Sequence, residues 1–296
     1  MLNTSLENKY QVYWIEKPKE WHSNTIGIYH VSSVGCNHQD LNPDEHSGPC
    51  IRQTFYEYIN PIDDNDQTKG NFHVGTIDHK EVIRIYRSNN PNAVDEFPIY
   101  LKLVNKDGIE IIIKGSIDLL VFVYEEMITY DILDFKTASD YTFPHHEGDK
   151  NPTHFDQVRV YTSLVENYIF GKIKARDNIL VYINKHNLYT GEQREKYDSN
   201  IGLDKLMDFV SRCFELHGYL IRIELPPREP MKWCKYCKYG LRCKSSVIRD
   251  EDVEEFTEEE IQKFYEEETG KSPIWRGNYT KAYESFRSKF KVSDQN

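Results

Sequence analysis

Residues 115–139 read GSIDLLVFVYEEMITYDILDFKTAS, and their alternation decides the fold. Residues 119–124 and 128–133 are short runs rich in β-branched and aromatic side chains, separated by Glu125-Glu126-Met127. That is the pattern of two strands joined by a tight hairpin. With the loop centred on Glu126, Tyr124 pairs with Ile128, Leu120 pairs with Ile132, and Asp118 falls opposite Asp134. A slip of two residues leaves both carboxylates on one face, because the side-chain period of a strand is two. Like charges opposite each other destabilise a strand pair unless something neutralises them.

A divalent cation would do so. Alternation puts Asp134 and Lys136 on one side of their strand, while Phe135 faces the other way and offers its backbone carbonyl. Asp118, Asp134 and the Phe135 carbonyl make a hard, oxygen-rich set that suits Mg²⁺ or Mn²⁺ rather than zinc. Lys136 stands where it would orient, or help deprotonate, a water attacking a phosphodiester. A half-buried hairpin with a polar wet face fits the same residues.

The G-x-x-D of residues 115–118, followed by the I-x-D-x-K-T of residues 132–137, resembles the nuclease core of the PD-(D/E)XK superfamily in its RecB-like branch. That branch includes CRISPR-associated and phage exonucleases that hold an iron-sulfur cluster. The resemblance implies metal-binding aspartates at Asp118 and Asp134 and a catalytic lysine at Lys136.

Length and charge bound the rest. A chain of 296 residues with 39% hydrophobic and 13% aromatic content can bury one sizeable core with appendages and is globular. No apolar run approaches a membrane span, and the N-terminal MLNTSLENKY lacks a signal pattern, so a cytoplasmic protein is expected. A net charge of -11 opposes a uniformly DNA-attracting surface. The acid is concentrated in residues 250–268, however, and residues 232–244 and 281–291 are basic.

Residues 1–31 carry no motif, and Trp14, Trp21 and Tyr29 are expected to pack a peripheral element. HVSSVG at residues 30–35 resembles the serine segment preceding the first cysteine of the RecB-like group, and residues 37–49 after Cys36 read as a loop. CIRQTFYEY from Cys50 reads as a helix, as do residues 68–86, where Gly75 and His79 share a face. By resemblance, His79 in this G-x-x-x-H helix is a metal ligand, with His73 a nearby rival. SNNPNAVDEFP (88–98) reads as loop, and residues 99–104 and 108–114 as a hairpin leading into the central strand. Residues 141–152 form a further loop. HFDQVRVYTSLVENYIF (154–170) has helical periodicity, with Gln157 and Tyr161 one turn apart. The pair matches the Q-x-x-x-Y motif of RecB-like nucleases, which implies that they help to position DNA. Residues 178–184 read as a buried strand and 201–220 as a long helix with Cys213 in the core. The order of elements is that of a restriction-endonuclease-like αβββαβ core, a mixed α/β sheet flanked by helices.

MKWCKYCKYGLRCKS (231–245) spaces Cys234, Cys237 and Cys243 as C-x2-C-x5-C. Thiolates this close call for a soft metal centre, and zinc is the general alternative. The arrangement with a distant Cys50 resembles the [4Fe-4S] site of the cluster-containing RecB-like nucleases, where the cluster joins the N- and C-terminal segments. Cys36 competes with Cys50 for the first ligand position. The surrounding lysines, with Trp233, Tyr236 and Tyr239, suit phosphate contact and base stacking, or simply offset the cluster's charge.

The expected organisation is a nuclease domain over residues 1–249 and an acidic-then-basic helical extension over 250–296, the latter a possible protein-binding element. The expected activity is Mg/Mn-dependent exonuclease action on DNA, linear or single-stranded. Roles in recombination, repair, phage DNA processing or CRISPR adaptation are implied by resemblance alone. The alternative is a non-catalytic DNA-binding or assembly subunit that keeps the fold.

Overall fold

The structure is a computed structural model describing residues 6–7, 9–16, 25–36, 50–62, 66–139, 143, 151–229, 234, 237–245, 258–269, 272–275 and 278–287. The chain forms two compact units, Met1–Lys232 and Trp233–Asn296. The first runs β1 (Tyr10–Trp14), β2 (Ile28–His30), α1 (Val31–Val34), α2 (Ile51–Ile59), α3 (Asp66–Asn89), β3 (Ala93–Asn105), β4 (Glu110–Tyr124) and β5 (Ile128–Ala138). It continues with α4 (Pro152–Val165), a π-helical turn (Glu166–Phe170), β6 (Lys174–Asn184), β7 (Thr190–Lys196) and α5 (Ser199–Arg222).

Seven strands form one mixed sheet in the order β1-β3-β4-β5-β6-β7, with β2 pairing β4 off that path. The hairpin has the register that its alternation predicts, with Tyr124 opposite Ile128 and Leu120 opposite Ile132. β6 runs parallel to β5, so α4 is the crossover between them. One face of the sheet packs Leu119, Leu133, Phe135, Ile179, Val181 and Ile183 against Val82 and Ile83 of α3. The other face carries α4, which packs on β5, β6 and α5. The result is a mixed α/β sheet flanked by helices.

Two expectations are corrected, and one strand was not foreseen. Residues 93–98 are not loop: β3 begins at Ala93 and pairs with β4 through Pro98. The proline is tolerated because β1 covers the outer side of β3 only from Leu101 onward, leaving Pro98 on an edge with no ladder partner to supply. Trp14 and Tyr29 do not pack one peripheral element: Trp14 lies on the edge strand β1, 46% exposed, whereas Tyr29 is fully buried and bonds His217 at 2.8 Å. Trp21 lies outside the described residues. β7, a polar edge strand reading TGEQREK, has no apolar alternation to announce it.

The second unit holds α6 (Gly240–Ser245), α7 (Glu258–Thr269), a short β8–β9 hairpin (Ile274–Trp275 and Asn278–Tyr279) and α8 (Lys281–Arg287). Its centre is Tyr283, edge-on to Tyr265 and donating its hydroxyl proton to Glu258 at 2.8 Å, where Arg287 also bonds. Ile261 of α7 is buried. Among the described residues no helix is long and apolar enough to cross a membrane.

A Cβ placed on Gly115 would lie 2.5 Å from Cε1 of Tyr161, whose ring is itself buried. Gly115→Ala is therefore expected to destabilise the protein by roughly 1–3 kcal/mol through overpacking. Urea unfolding checks this. An unchanged midpoint would show that the ring has room to move.

Candidate active site

The site forms where β4 changes partners. β2 covers the free edge of β4 at Ile112, Ile113 and Lys114, and β5 covers the same edge from Leu119 to Tyr124. Between them, residues 115–118 have no strand neighbour on that side. Asp118 and Asp134 would continue the β4–β5 ladder, but the strands part at Leu119–Leu133 and the Asp118 carboxylate accepts the Phe135 backbone N–H at 2.8 Å. The expected apposition of the two carboxylates is thus present as a side-chain crossing rather than a strand pair.

α3 delivers His79, whose Nε2 lies 3.1 Å from the same Asp118 oxygen. Burial pulls the His79 pKa down, but the bond and charge of Asp118 outweigh it, and the net shift is upward. The Phe135 ring meets the His79 imidazole and the Tyr86 ring edge-on. Asp134 is 3% exposed, and its Oδ2 stands 2.7 Å from the Lys136 ammonium without a hydrogen bond of good direction. Burial lifts the Asp134 carboxyl to about 6, against the pull of Lys136 and with the repulsion of Asp118.

α4 closes the opposite side. Asn151 caps its first turn and Pro152 opens it, which aims the helix at the ends of β5 and β6. Gln157 accepts from Lys136 Nζ at 3.0 Å and points its amide at Asp134 at 3.4 Å. Tyr161 is 1% exposed; its hydroxyl meets the Ser116 backbone in the uncovered stretch of β4 and the Gln157 side chain. Tyr161 therefore acts on its surroundings through Gln157 and the β4 backbone, not by direct contact with a large ligand.

Two neighbours were not singled out from sequence. His154, one turn before Gln157, bonds the Tyr182 hydroxyl at 2.9 Å, and burial, then Lys136, lowers its pKa to about 4. The β5–β6 register sets Tyr182 opposite Lys136. Helical spacing from Gln157 was the signal for His154; Tyr182 had none, because that register is non-local. The side chain of His73 lies outside the described residues.

None of the six cysteines is in a disulfide. Cys50 is the N-cap of α2, half-buried, with burial raising its thiol pKa. Cys36 is buried and directs its S–H at the Lys205 carbonyl, 3.6 Å away, and Cys213 is core. Cys234, Cys237 and Cys243 lie in the second unit, Cys234 exposed and the other two partly so. Among the described residues no three His, Cys, Asp or Glu side chains converge into a ready-made metal cluster.

The model of the PD-(D/E)XK nuclease superfamily matches residues 51–244, from the start of α2 through the cysteine-rich segment. The chain belongs to the PD-(D/E)XK nuclease superfamily. No curated protein matches it in sequence. Among solved structures, SSO0001 is 22% identical at TM-score 0.41, with 77% of this chain and 89% of that one covered. A Eubacterium rectale protein, provisionally named an exonuclease, is 12% identical at TM-score 0.41, covering 72% of this chain and 88% of its own. A PD-(D/E)XK nuclease core implies a nucleic-acid substrate, and such nucleases typically use Mg²⁺ or Mn²⁺. The residues present fit such an ion. Two carboxylates meet at one gap, and one of them has a buried oxygen lacking a hydrogen bond. The donors are hard oxygens with one imidazole.

A carboxyl whose folded pKa is raised is stabilising below its unfolded pKa, and that contribution is lost as pH rises through the folded value, here about 6. Asp134→Asn is accordingly expected to stabilise the metal-free protein at pH 8 by about 3 kcal/mol, with the gain vanishing near pH 4. Urea unfolding in chelator at both pH values tests this. Destabilisation at pH 8 would mean that the contact with Lys136 outweighs the cost of burial.

Proposed function

We propose that this chain is a metal-dependent DNA exonuclease of the RecB-like type, acting in the cytoplasm on linear or single-stranded DNA. The observation that carries the reading is the gathering of Asp118, Asp134, Lys136, His79 and Gln157 at the gap beside β4. Asp118, Asp134, His79 and the Phe135 carbonyl would hold the metal. When bound, Mg²⁺ or Mn²⁺ supplies Lewis-acid stabilisation of the phosphate oxygens and lowers the pKa of water. Lys136, fixed as an ammonium between Asp134 and Gln157, orients the attacking water, whose proton passes to solvent while the leaving oxygen is protonated to the hydroxyl end. Water adds to phosphorus as the P–O bond on the far side breaks, leaving one phosphate end and one hydroxyl end. Gln157 keeps Lys136 in place, and Tyr161 keeps Gln157 and the β4 backbone in place.

We also propose a structural [4Fe-4S] cluster on Cys50, Cys234, Cys237 and Cys243. Its support is local. Glu229 accepts the Ile51 N–H at 2.7 Å and a two-pronged Arg212 bond at 2.6 Å, while Arg52 bonds the Pro226 carbonyl at 2.7 Å. These bonds hold residues 226–229 beside Cys50 within the first unit. Cys36, occupied with Lys205 in the core, is the spare thiol. On this reading the nuclease domain takes residues 1–249, and residues 250–296 are an extension suited to a protein partner.

The test is digestion of linear, end-labelled DNA with Mg²⁺ or Mn²⁺ by anaerobically purified protein. Lys136→Ala is expected to lose activity by about 10²- to 10⁴-fold while DNA binding persists. Undiminished cleavage would remove Lys136 from the mechanism, and inactivity of the wild type with binding intact would favour a non-catalytic adaptor. Iron in stoichiometric amount, lost in Cys237→Ala, is expected for the cluster; zinc in its place would sink that assignment.

A further inference from the structure

We infer that His30 and Lys114 form a second phosphate-binding position for the nucleic-acid backbone, at the opposite end of the β4 gap from the carboxylates. It rests on the nuclease reading and names what the site grips besides the bond being cut. The parallel β2–β4 register sets His30 directly beside Lys114, the last β4 residue that β2 covers before the gap opens. Lys114 and Ser116 alternate with the buried Ile113, Gly115 and Ile117 and so share the opposite, more open face of β4. At 3.3 Å per residue, Lys114 lies about 13 Å from Asp118 along the strand. Ser116 between them is exposed and Lys114 partly so. A cation and a hydroxyl thus lead up to the metal-site carboxylate.

The donors at the far end are oriented. His30 takes the Ser32 backbone N–H at 3.2 Å and the Ser32 hydroxyl at 2.7 Å, both on Nδ1. With Nδ1 accepting, the ring hydrogen belongs on Nε2, which is left as a donor. Burial, then Lys114 and Lys136, hold the imidazole neutral by lowering its pKa to about 4. Lys136 is compensated by Asp134, and Lys102 one strand over by Glu110. Two cations thus act on one neutral imidazole, and of the two Lys114 is the one with no carboxylate at ion-pair distance among the described residues. In a protein of net charge -11, a backbone phosphate is the group that gains most from this spot.

That phosphate belongs either to an internal phosphodiester or to the terminal phosphate of a strand end, and one experiment separates the two. Binding of the full chain to labelled single-stranded oligonucleotides is followed by anisotropy in chelator, which stops metal-dependent cleavage, from 50 to 200 mM salt. The strands carry either a terminal phosphate or a terminal hydroxyl. Lys114→Met is expected to weaken binding at low salt and to reduce the slope of log Kobs against log salt by about 0.7, one phosphate contact. Equal loss on both strands assigns an internal phosphate; loss confined to the phosphorylated end assigns the terminus. His30→Phe, which removes a neutral donor, is expected to weaken binding with the slope kept. A wild-type slope and affinity in a Lys114→Met protein of unchanged thermal stability would overturn the position while leaving the nuclease reading intact. A wild-type chain that does not bind DNA at all would overturn both.

Discussion

A strand edge left uncovered by a neighbouring strand has backbone polar groups without ladder partners, and the candidate site forms where side chains meet one such stretch of β4. β2 supplies partners on one side of the gap and β5 on the other, so residues 115–118 depend on side chains. Tyr161 brings its hydroxyl to Ser116, which it can reach because residue 115 has no Cβ. Asp118 turns across to the Phe135 N–H, taking the place of a ladder bond. The glycine of the G-x-x-D motif, the tyrosine of the Q-x-x-x-Y motif and the first aspartate are thus parts of one hydrogen-bonding solution, and the same solution positions the chemistry.

The carboxylates around that gap each have a partner. His79 faces Asp118 at 3.1 Å and Lys136 faces Asp134 at 2.7 Å. The arrangement explains why no ready three-ligand cluster stands among the described residues although the ligand types are present. It also leaves a residual tension, since Asp134 is held in a buried position with one oxygen lacking a directed bond. A preorganised carboxylate of this kind is unfavourable for the fold and favourable for a hard cation.

The hairpin was legible because period-two alternation and a three-residue spacer fix register locally, and the placement of Asp118 near Asp134 followed from it. His79 and Gln157 were singled out by the resemblance of their G-x-x-x-H and Q-x-x-x-Y motifs rather than by spacing alone, and both side chains reach the gap beside β4. β1 and β2 were not legible, since their partners lie in β3 and β4, far along the chain, and residues 1–31 have no alternation long enough to declare a strand. β7 escaped notice because it lies on an exposed edge and presents charge on its outer face. Asn178 and Glu195, from neighbouring strands, meet the buried Arg159–Asp156 pair of α4 in a polar network that only the folded chain assembles. The neutral, oriented state of His30 depends on the turn that follows it and on a strand reached through a non-local pairing.

That non-local pairing also sets an order of assembly. The β4–β5 hairpin and the turns of α4 close over short loops and can form early, carrying Asp118, Asp134 and Gln157 into proximity. The parallel union of residues 28–30 with 112–114 must close a much longer loop for only three residue pairs. It is therefore a late event on the folding pathway and, by the same reasoning, among the first to open in partial unfolding. Amide exchange at Tyr29 and Ile112 would then run ahead of exchange in the hairpin, separating the maturation of the outer end of the gap from that of its carboxylate end.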